Sequence, residues 1–277
     1  MRKIAFKQVD VFTRVPFRGN PVAVVLEGSG LSAGDMQRIA AWTNLSETTF
    51  VLPPTTSAAD YRLRIFTPRA ELPFAGHPTI GSAHAVLEAG IAKPKQGRLR
   101  QECGAGILDL AVDGEVLWLK APPASVGGLD ASRRGELEKA LGARVAGAPA
   151  VVTVGPVWIV AELADAGAVD KLLPDMAAIG ALSDALEATG ITVFGKAADQ
   201  STLHVRSFAP SHGIPEDPVC GSGNISVAAV RGKSAGQYTA RQGMQLGRDG
   251  RVSIRFEGEQ IYLGGGAVTC VEGALRL

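Results

Sequence analysis

A degenerate internal duplication constrains the fold of this chain more than any other feature of its sequence. The motif Arg-x-Phe-x-Pro begins at Arg64 and again at Arg206, 142 residues further on. Downstream, Gly76 and Gly221 each follow a small residue, and apolar residues lie four and seven positions after each of these glycines. Matches in the same order in both halves indicate two copies of one strand–loop–helix unit.

Length and composition indicate a globular protein of about two domains built from many short elements. Of the 277 residues, 46% are hydrophobic and 20% are charged, enough to bury a sizeable core. The 34 glycines and 16 prolines, with 5% aromatic residues, favour short strands and tight turns over a helical bundle. We predict one domain over residues 1–122 and a second over 123–277, with the last strand, 266–277, packing on the first domain.

Charge, hydropathy and cysteine usage exclude several classes of function. With 28 basic and 27 acidic residues, the net charge of +1 predicts no nucleic-acid partner. The sequence contains neither a signal-peptide core nor an uninterrupted membrane span, so we expect a cytoplasmic protein that binds no membrane. Three widely spaced cysteines predict no disulfide framework, and four histidines without metal-ligand spacing predict no metal.

Each copy of the repeat predicts a helix that begins at its glycine. We expect Ser222 to cap the second helix through its side chain. The unpaired N–H groups of a first helical turn, together with the positive end of the helix dipole, attract anions. The two helix starts are therefore candidates for holding a substrate carboxylate or a developing enolate.

The two copies differ at their polar positions. His77 in the first copy corresponds to Ser222 in the second, and Glu47 is aligned with Ile191. Cys220 stands where the first copy has an alanine. A purely structural duplication needs no such asymmetry, whereas an enzyme that removes a proton and returns it elsewhere does. Each residue also has an ordinary alternative: Glu47 as a solvated charge, His77 and Ser222 as helix caps, and Cys220 as a buried apolar residue.

Four blocks resemble the PhzF-like family of phenazine-biosynthesis isomerases in that family's order, and together they span nearly the whole chain: Phe17–Pro21, Asn44–Thr48, Pro73–Thr79 and Glu216–Ser222. The resemblance implies the diaminopimelate-epimerase-like fold, with two α/β domains, each a curled and mostly antiparallel sheet around a central helix. It places the site between the domains. It also implies an isomerase that uses no cofactor and forms a homodimer.

The resemblance also implies roles for individual residues. Glu47 is the expected proton shuttle, with three further catalytic residues around it: His77, Asp217 and Ser222. Four residues are expected to bind a small-molecule carboxylate substrate: Asn20, Gly76, Cys220 and Gly221. In the family's founding activity, a dihydro-hydroxyanthranilate loses a proton from one ring carbon and regains one at another.

One position departs from the family pattern and leaves two alternatives open. Cys220 stands where the family usually has threonine. Related epimerases and racemases use a cysteine in this block, so an amino- or hydroxy-acid epimerase or racemase using Cys220 is one alternative. The other is a non-catalytic homodimeric protein with the same fold.

Overall fold

The computed structural model describes residues 2–199 and 202–277, which form short strands around two buried helices. The strands are β1 (Lys3–Val11), β2 (Asn20–Val25), β3 (Thr48–Leu52), β4 (Tyr61–Phe66), β5 (Glu71–Leu72), β6 (Arg98–Cys103), β7 (Gly106–Asp113), β8 (Val116–Lys120), β9 (Ser125–Gly128), β10 (Ala146–Thr153), β11 (Val157–Glu162), β12 (Gly190–Lys196), β13 (Thr202–Ala209), β14 (Ile214–Asp217), β15 (Tyr238–Gln242), β16 (Gly250–Glu257), β17 (Gln260–Gly265) and β18 (Ala267–Arg276). The helices are α1 (Ala33–Thr43), α2 (Gly76–Glu88), α3 (Arg134–Leu141), α4 (Ala166–Asp170), α5 (Met176–Ala185) and α6 (Gly221–Arg231). Short 3₁₀ turns occupy Ala131–Arg133, Pro210–His212, Lys233–Ala235 and Met244–Leu246.

The first compact unit consists of Met1–Lys120 together with Gly264–Leu277. Strand β1 lies between β2 and β18 and pairs antiparallel with both. The sheet continues through β3, β4, β6 and β7 to β8, with parallel steps between β2 and β3 and between β4 and β6. Helix α2 packs on β1 and β2, and it is buried on nearly every side, as an apolar helix inside a curled sheet must be.

The second compact unit, Ala121–Leu263, repeats the topology of the first. Strands β10 to β16 pair in the same order and the same directions as β1 to β7, including parallel steps between β11 and β12 and between β13 and β15. Helix α6 takes the place of α2 and packs on β10, β11 and β12. The predicted domain boundary lies at 122/123, whereas the compact units divide at 120/121 and residues 264–277 return to the first unit.

Side chains of the repeated motif are also duplicated. Arg64 donates two hydrogen bonds to Glu71, and Arg206 donates two to Glu216. In both copies the guanidinium lies 5.1 Å from the ring of the motif phenylalanine. Arg206 also donates to two backbone carbonyls, one near the end of α4 and one in the loop that follows it. The two arginines therefore brace the same strand-to-loop junction in both units.

Strand register corrects the predicted alignment of the acid. Thr48 of β3 and Ile191 of β12 each lie opposite the phenylalanine of the repeated motif. The alignment of Glu47 with Ile191 is therefore wrong by one residue, which in a strand exchanges the two faces. The position equivalent to Glu47 is Gly190, where a Cβ atom would meet the carbonyl oxygen of Phe208 at 2.0 Å.

The helix ends correct one predicted cap. Gly142, the C-cap of α3, adopts the left-handed conformation that glycine readily takes. The N-cap of α6 is Cys220, two residues before the predicted Ser222 cap, because the helix begins at Gly221. Ser222 is the second residue of α6, so its hydroxyl is available for other contacts.

Across residues 2–199 and 202–277, none of the helices is both long and apolar enough to cross a membrane.

Candidate active site

The backbone around Glu47 is positioned by the parallel pairing of β2 and β3. Helix α1 ends at Thr43, and its C-cap, Asn44, adopts a left-handed conformation with φ of 55° and turns the chain back toward the sheet. The backbone N–H of Ala23 in β2 then donates to the carbonyl of Glu47, at 3.3 Å. Glu47 is therefore held at the edge where β3 begins, one residue before the strand.

The carboxyl group of Glu47 lies in a largely water-free environment. Its side chain is 14% exposed, and one oxygen, Oε2, lies 3.3 Å from Nε2 of His77. Burial disfavours the ionised form and raises the pKa of Glu47 to about 7, while a hydrogen bond with the side chain of Ser46 opposes that shift. An acid with a pKa near neutrality can both accept and return a proton.

His77 approaches Glu47 from the start of α2. It is the second residue of that helix and is buried. The N-cap position belongs to Ala75, whose methyl group accepts no hydrogen bond, so the alternative in which His77 caps the helix is wrong. The imidazole instead stands beside the carboxyl group, 3.3 Å away.

A second polar cluster forms at the start of α6. The thiol of Cys220 accepts a hydrogen bond from the backbone N–H of Gly223, at 3.3 Å, and lies 3.6 Å from the hydroxyl of Ser222. The indole N–H of Trp158, on β11, donates to the same hydroxyl at 3.0 Å. Ser222 therefore lies between an indole donor and a sulfur atom.

The environment of Cys220 favours the neutral thiol. Cys220 is 4% exposed, and burial raises its pKa well above the ordinary value, with a further rise from the nearby charge of Asp217. These effects outweigh the hydrogen bond from Gly223 and the other hydrogen bonds to the sulfur, which favour the thiolate. The thiol serves as the N-cap of α6.

The remaining predicted site residues lie at element ends. Asp217 is the last residue of β14, and its carboxylate accepts from the backbone N–H of Val219 at 2.9 Å. Asn20 is the first residue of β2 and is buried. Gly76 and Gly221 are the first residues of α2 and α6.

The structure thus brings some of the predicted residues into contact within each unit. Glu47 and His77 are in contact in the first. Cys220 and Ser222 are in contact in the second, with Asp217 close enough to influence the thiol. Sequence analysis missed Trp158. An alignment of the two repeats that follows the strand register would have shown that the second copy has an aromatic residue near the start of β11 where the first copy has none.

Among the described residues, the structure contains no group of three or more His, Cys, Asp or Glu side chains that could hold a metal ion.

Comparison with known proteins identifies close relatives of the chain. The family described as phenazine biosynthesis-like protein, PhzC-PhzF, matches residues 9–273. Antisense-enhancing sequence 1 of Schizosaccharomyces pombe is 41% identical over 293 aligned positions, covering 99% of each chain. The trans-2,3-dihydro-3-hydroxyanthranilate isomerase of Pseudomonas aeruginosa is 35% identical, covering 90% of this chain and 89% of the relative.

Solved structures show the same fold. The crystal structure of a PhzF-family phenazine biosynthesis protein from Bacillus anthracis superposes with a TM-score of 0.88 at 26% identity, and the match covers all of both chains. The predicted fold, with a curled sheet around a central helix in each half, is confirmed.

Proposed function

Because the chain belongs to the phenazine biosynthesis-like protein family and is an isomerase, we propose that it moves a proton within a small carboxylate-bearing substrate through Glu47. The observation that carries the proposal is the buried carboxyl group with a pKa of about 7, in contact with His77. At neutral pH such a group is present in both protonation states, as a shuttle requires.

The proposed reaction is balanced without any other reactant. Ionised Glu47 takes a proton from one substrate carbon, and the electrons of the broken C–H bond enter the adjacent π system. Protonated Glu47 then returns a proton to a different carbon, and the electrons of the π system form the new C–H bond. His77, whose Nε2 lies 3.3 Å from the carboxyl oxygen, is placed to orient the acid through both transfers.

The start of α6 is proposed to bind the substrate carboxylate. An α-helix leaves its first N–H groups without partners inside the helix, and its dipole places partial positive charge there. In α6 these groups include the backbone N–H of Gly221 and of Ser222. The start of α2, at Gly76, has the same character. A shared location of these groups in a cleft between the domains stays a prediction.

The substrate class is taken from chemistry and from the named relative. The Pseudomonas aeruginosa relative is named as an isomerase of trans-2,3-dihydro-3-hydroxyanthranilate, and an anthranilate is a small ring with a carboxylate. We propose a small carboxylate of this kind for the present chain. Homodimer formation, cytoplasmic location and independence of cofactors also stay predictions.

An epimerase or racemase mechanism through Cys220 is less well supported. Such a mechanism needs a thiolate that reaches the substrate carbon. Cys220 is buried, its pKa is raised, and its sulfur accepts the N–H of Gly223. Glu47 is also buried, but its pKa is raised only to about 7, so it meets the requirement for a near-neutral base.

Solvent-isotope incorporation tests the proposal. The protein is incubated in D₂O with trans-2,3-dihydro-3-hydroxyanthranilate, and deuterium at each carbon of substrate and product is measured by NMR. We expect incorporation with the wild type and a loss of at least ~100-fold in its rate with Glu47→Gln. Glu115→Gln, which removes a carboxylate that is 75% exposed, is the control. Equal incorporation by wild type and Glu47→Gln would exclude Glu47 as the base.

A further inference from the structure

Trp158 makes a contact that neither the family resemblance nor the sequence singles out. The residue is 3% exposed, and its indole N–H donates to the hydroxyl of Ser222, 64 residues further along the sequence. A buried indole N–H normally finds an acceptor, but here the acceptor is a side chain in the first turn of α6. The contact therefore ties β11 to the proposed carboxylate-binding helix start.

The duplication shows what this contact replaces. In the second unit Trp158 pairs with Gly190, the residue that the strand register makes equivalent to Glu47. Ser222 is equivalent to His77, since both are the second residue of their helices. The first copy therefore sets an acid against this helical position, and the second copy sets an indole donor against it.

Gly190 explains why the indole can occupy this place. A Cβ atom on Gly190 would lie 3.0 Å from the ring atom Cζ3 of Trp158, closer than ordinary side-chain contacts. A carboxylate-bearing side chain therefore does not fit beside this ring. The absence of an acid at position 190 and the presence of the indole at position 158 are therefore linked by packing.

The chemistry of the donor decides the orientation of the hydroxyl. An indole nitrogen donates and never accepts, so it occupies a lone pair of the Ser222 oxygen. The hydroxyl proton must then point to a different acceptor. The sulfur of Cys220, at 3.6 Å, is in range but is a weak acceptor, and a carboxylate oxygen is a much stronger one.

We propose that Trp158 is a positioning residue that commits the hydroxyl of Ser222 to donate its proton to the substrate carboxylate. This inference rests on the proposed function, in which the start of α6 receives that carboxylate. Without the indole, the hydroxyl is free to rotate and present a lone pair, which repels an anion. Binding then exchanges the sulfur of Cys220 for a carboxylate oxygen as the acceptor.

Binding of a pair of matched probes tests the inference. Calorimetric titration measures the Kd of 3-hydroxyanthranilate, an aromatic carboxylate, and of the corresponding carboxamide. We expect Trp158→Phe and Ser222→Ala each to weaken carboxylate binding roughly three- to tenfold, with a smaller effect on the carboxamide. The double variant should bind no more weakly than Ser222→Ala. Trp118→Phe, at a residue of similar burial in the first unit, is the control.

Several results would overturn the inference. Wild-type affinity in Trp158→Phe, wild-type affinity in Ser222→Ala, or additive losses in the double variant would each show that the two residues do not act together. The indole N–H resonance of Trp158 gives a second test that does not need Trp158→Phe to fold. It should move in Ser222→Ala and on adding the carboxylate probe, and an unchanged resonance in that variant contradicts the hydrogen bond.

The proposed function fails separately. If Glu47→Gln incorporates deuterium as fast as the wild type while the probe affinities change as expected, the proton-transfer proposal is wrong and the role of Trp158 in carboxylate binding stands. If incorporation depends on Glu47 while the probe affinities do not change, the role of Trp158 is wrong and the proton-transfer proposal stands.

Discussion

Replacing Glu47 by glutamine should stabilise the protein in mildly alkaline solution and stabilise it much less in mildly acidic solution. Burial raises the pKa of Glu47 from 4.5 to about 7. Between these values the folded protein holds a proton that the unfolded chain has released. The free energy of unfolding therefore falls as the pH rises through this window. Glutamine resembles the protonated acid in shape and carries no charge at any pH.

The size of the effect follows from the shift. A difference of about 2.5 pKa units corresponds to about 3.4 kcal/mol over the whole window. About 2.5 kcal/mol of this is lost between pH ~5 and pH ~8, because the unfolded carboxyl group is already mostly ionised at the lower pH. The carboxyl group is only 14% exposed, so water screens little of this cost.

Guanidinium chloride unfolding of wild type and Glu47→Gln at the two pH values measures the effect. The variant-minus-wild-type difference cancels the titration of every other group, provided that the unfolding slopes agree. We expect this difference to grow by about 2.5 kcal/mol in favour of the variant at the higher pH. Glu115→Gln controls for the removal of one negative charge. A change below about 0.5 kcal/mol would show that Glu47 is not a buried acid with a raised pKa.

Three further predictions concern the structural framework. Arg206→Met should lower the free energy of unfolding, measured in urea, by about 3–5 kcal/mol because it leaves a buried glutamate without its partner. Arg64→Met breaks the equivalent but more exposed pair and should lower it by about 1 kcal/mol. Cys220 should resist iodoacetamide in the folded protein and react on unfolding, and rapid labelling by peptide mass spectrometry would contradict its burial. Gly190→Ala should lower the free energy of unfolding in the same urea assay by about 3 kcal/mol, since its Cβ atom would meet the backbone oxygen of Phe208. An unfolding midpoint equal to that of the wild type would refute this.

The repeat was predictable because its signals are local. A glycine at a helix start, a proline after a strand and the spacing of apolar residues each act over a few positions, so they survive in the sequence of both copies. Glu47, His77 and Ser222 were predictable as candidates for the same reason, since each differs in chemical character from its counterpart. The capping box of helix α1, formed by Ser32 and Asp35, is likewise a local interaction between residues three positions apart.

The register of the strands was not predictable from the repeat alone. A shift of one residue hardly changes the similarity between the two copies in the sequence, yet it makes Gly190 instead of Ile191 the counterpart of Glu47. The N-cap of α6 was misplaced for a related reason. Serine is the better cap by propensity, but the N-cap lies two residues earlier, at Cys220, whose sulfur accepts from the backbone N–H of Gly223.

The sequence by itself therefore determined the duplicated topology and the residues capable of chemistry, because both depend on neighbours along the chain. Only the tertiary structure decided the protonation of Glu47, the neutrality of Cys220 and the pairing of Trp158 with Ser222. These properties depend on how much water surrounds a group and on which distant side chain faces it. Both are set by packing between segments far apart in the chain.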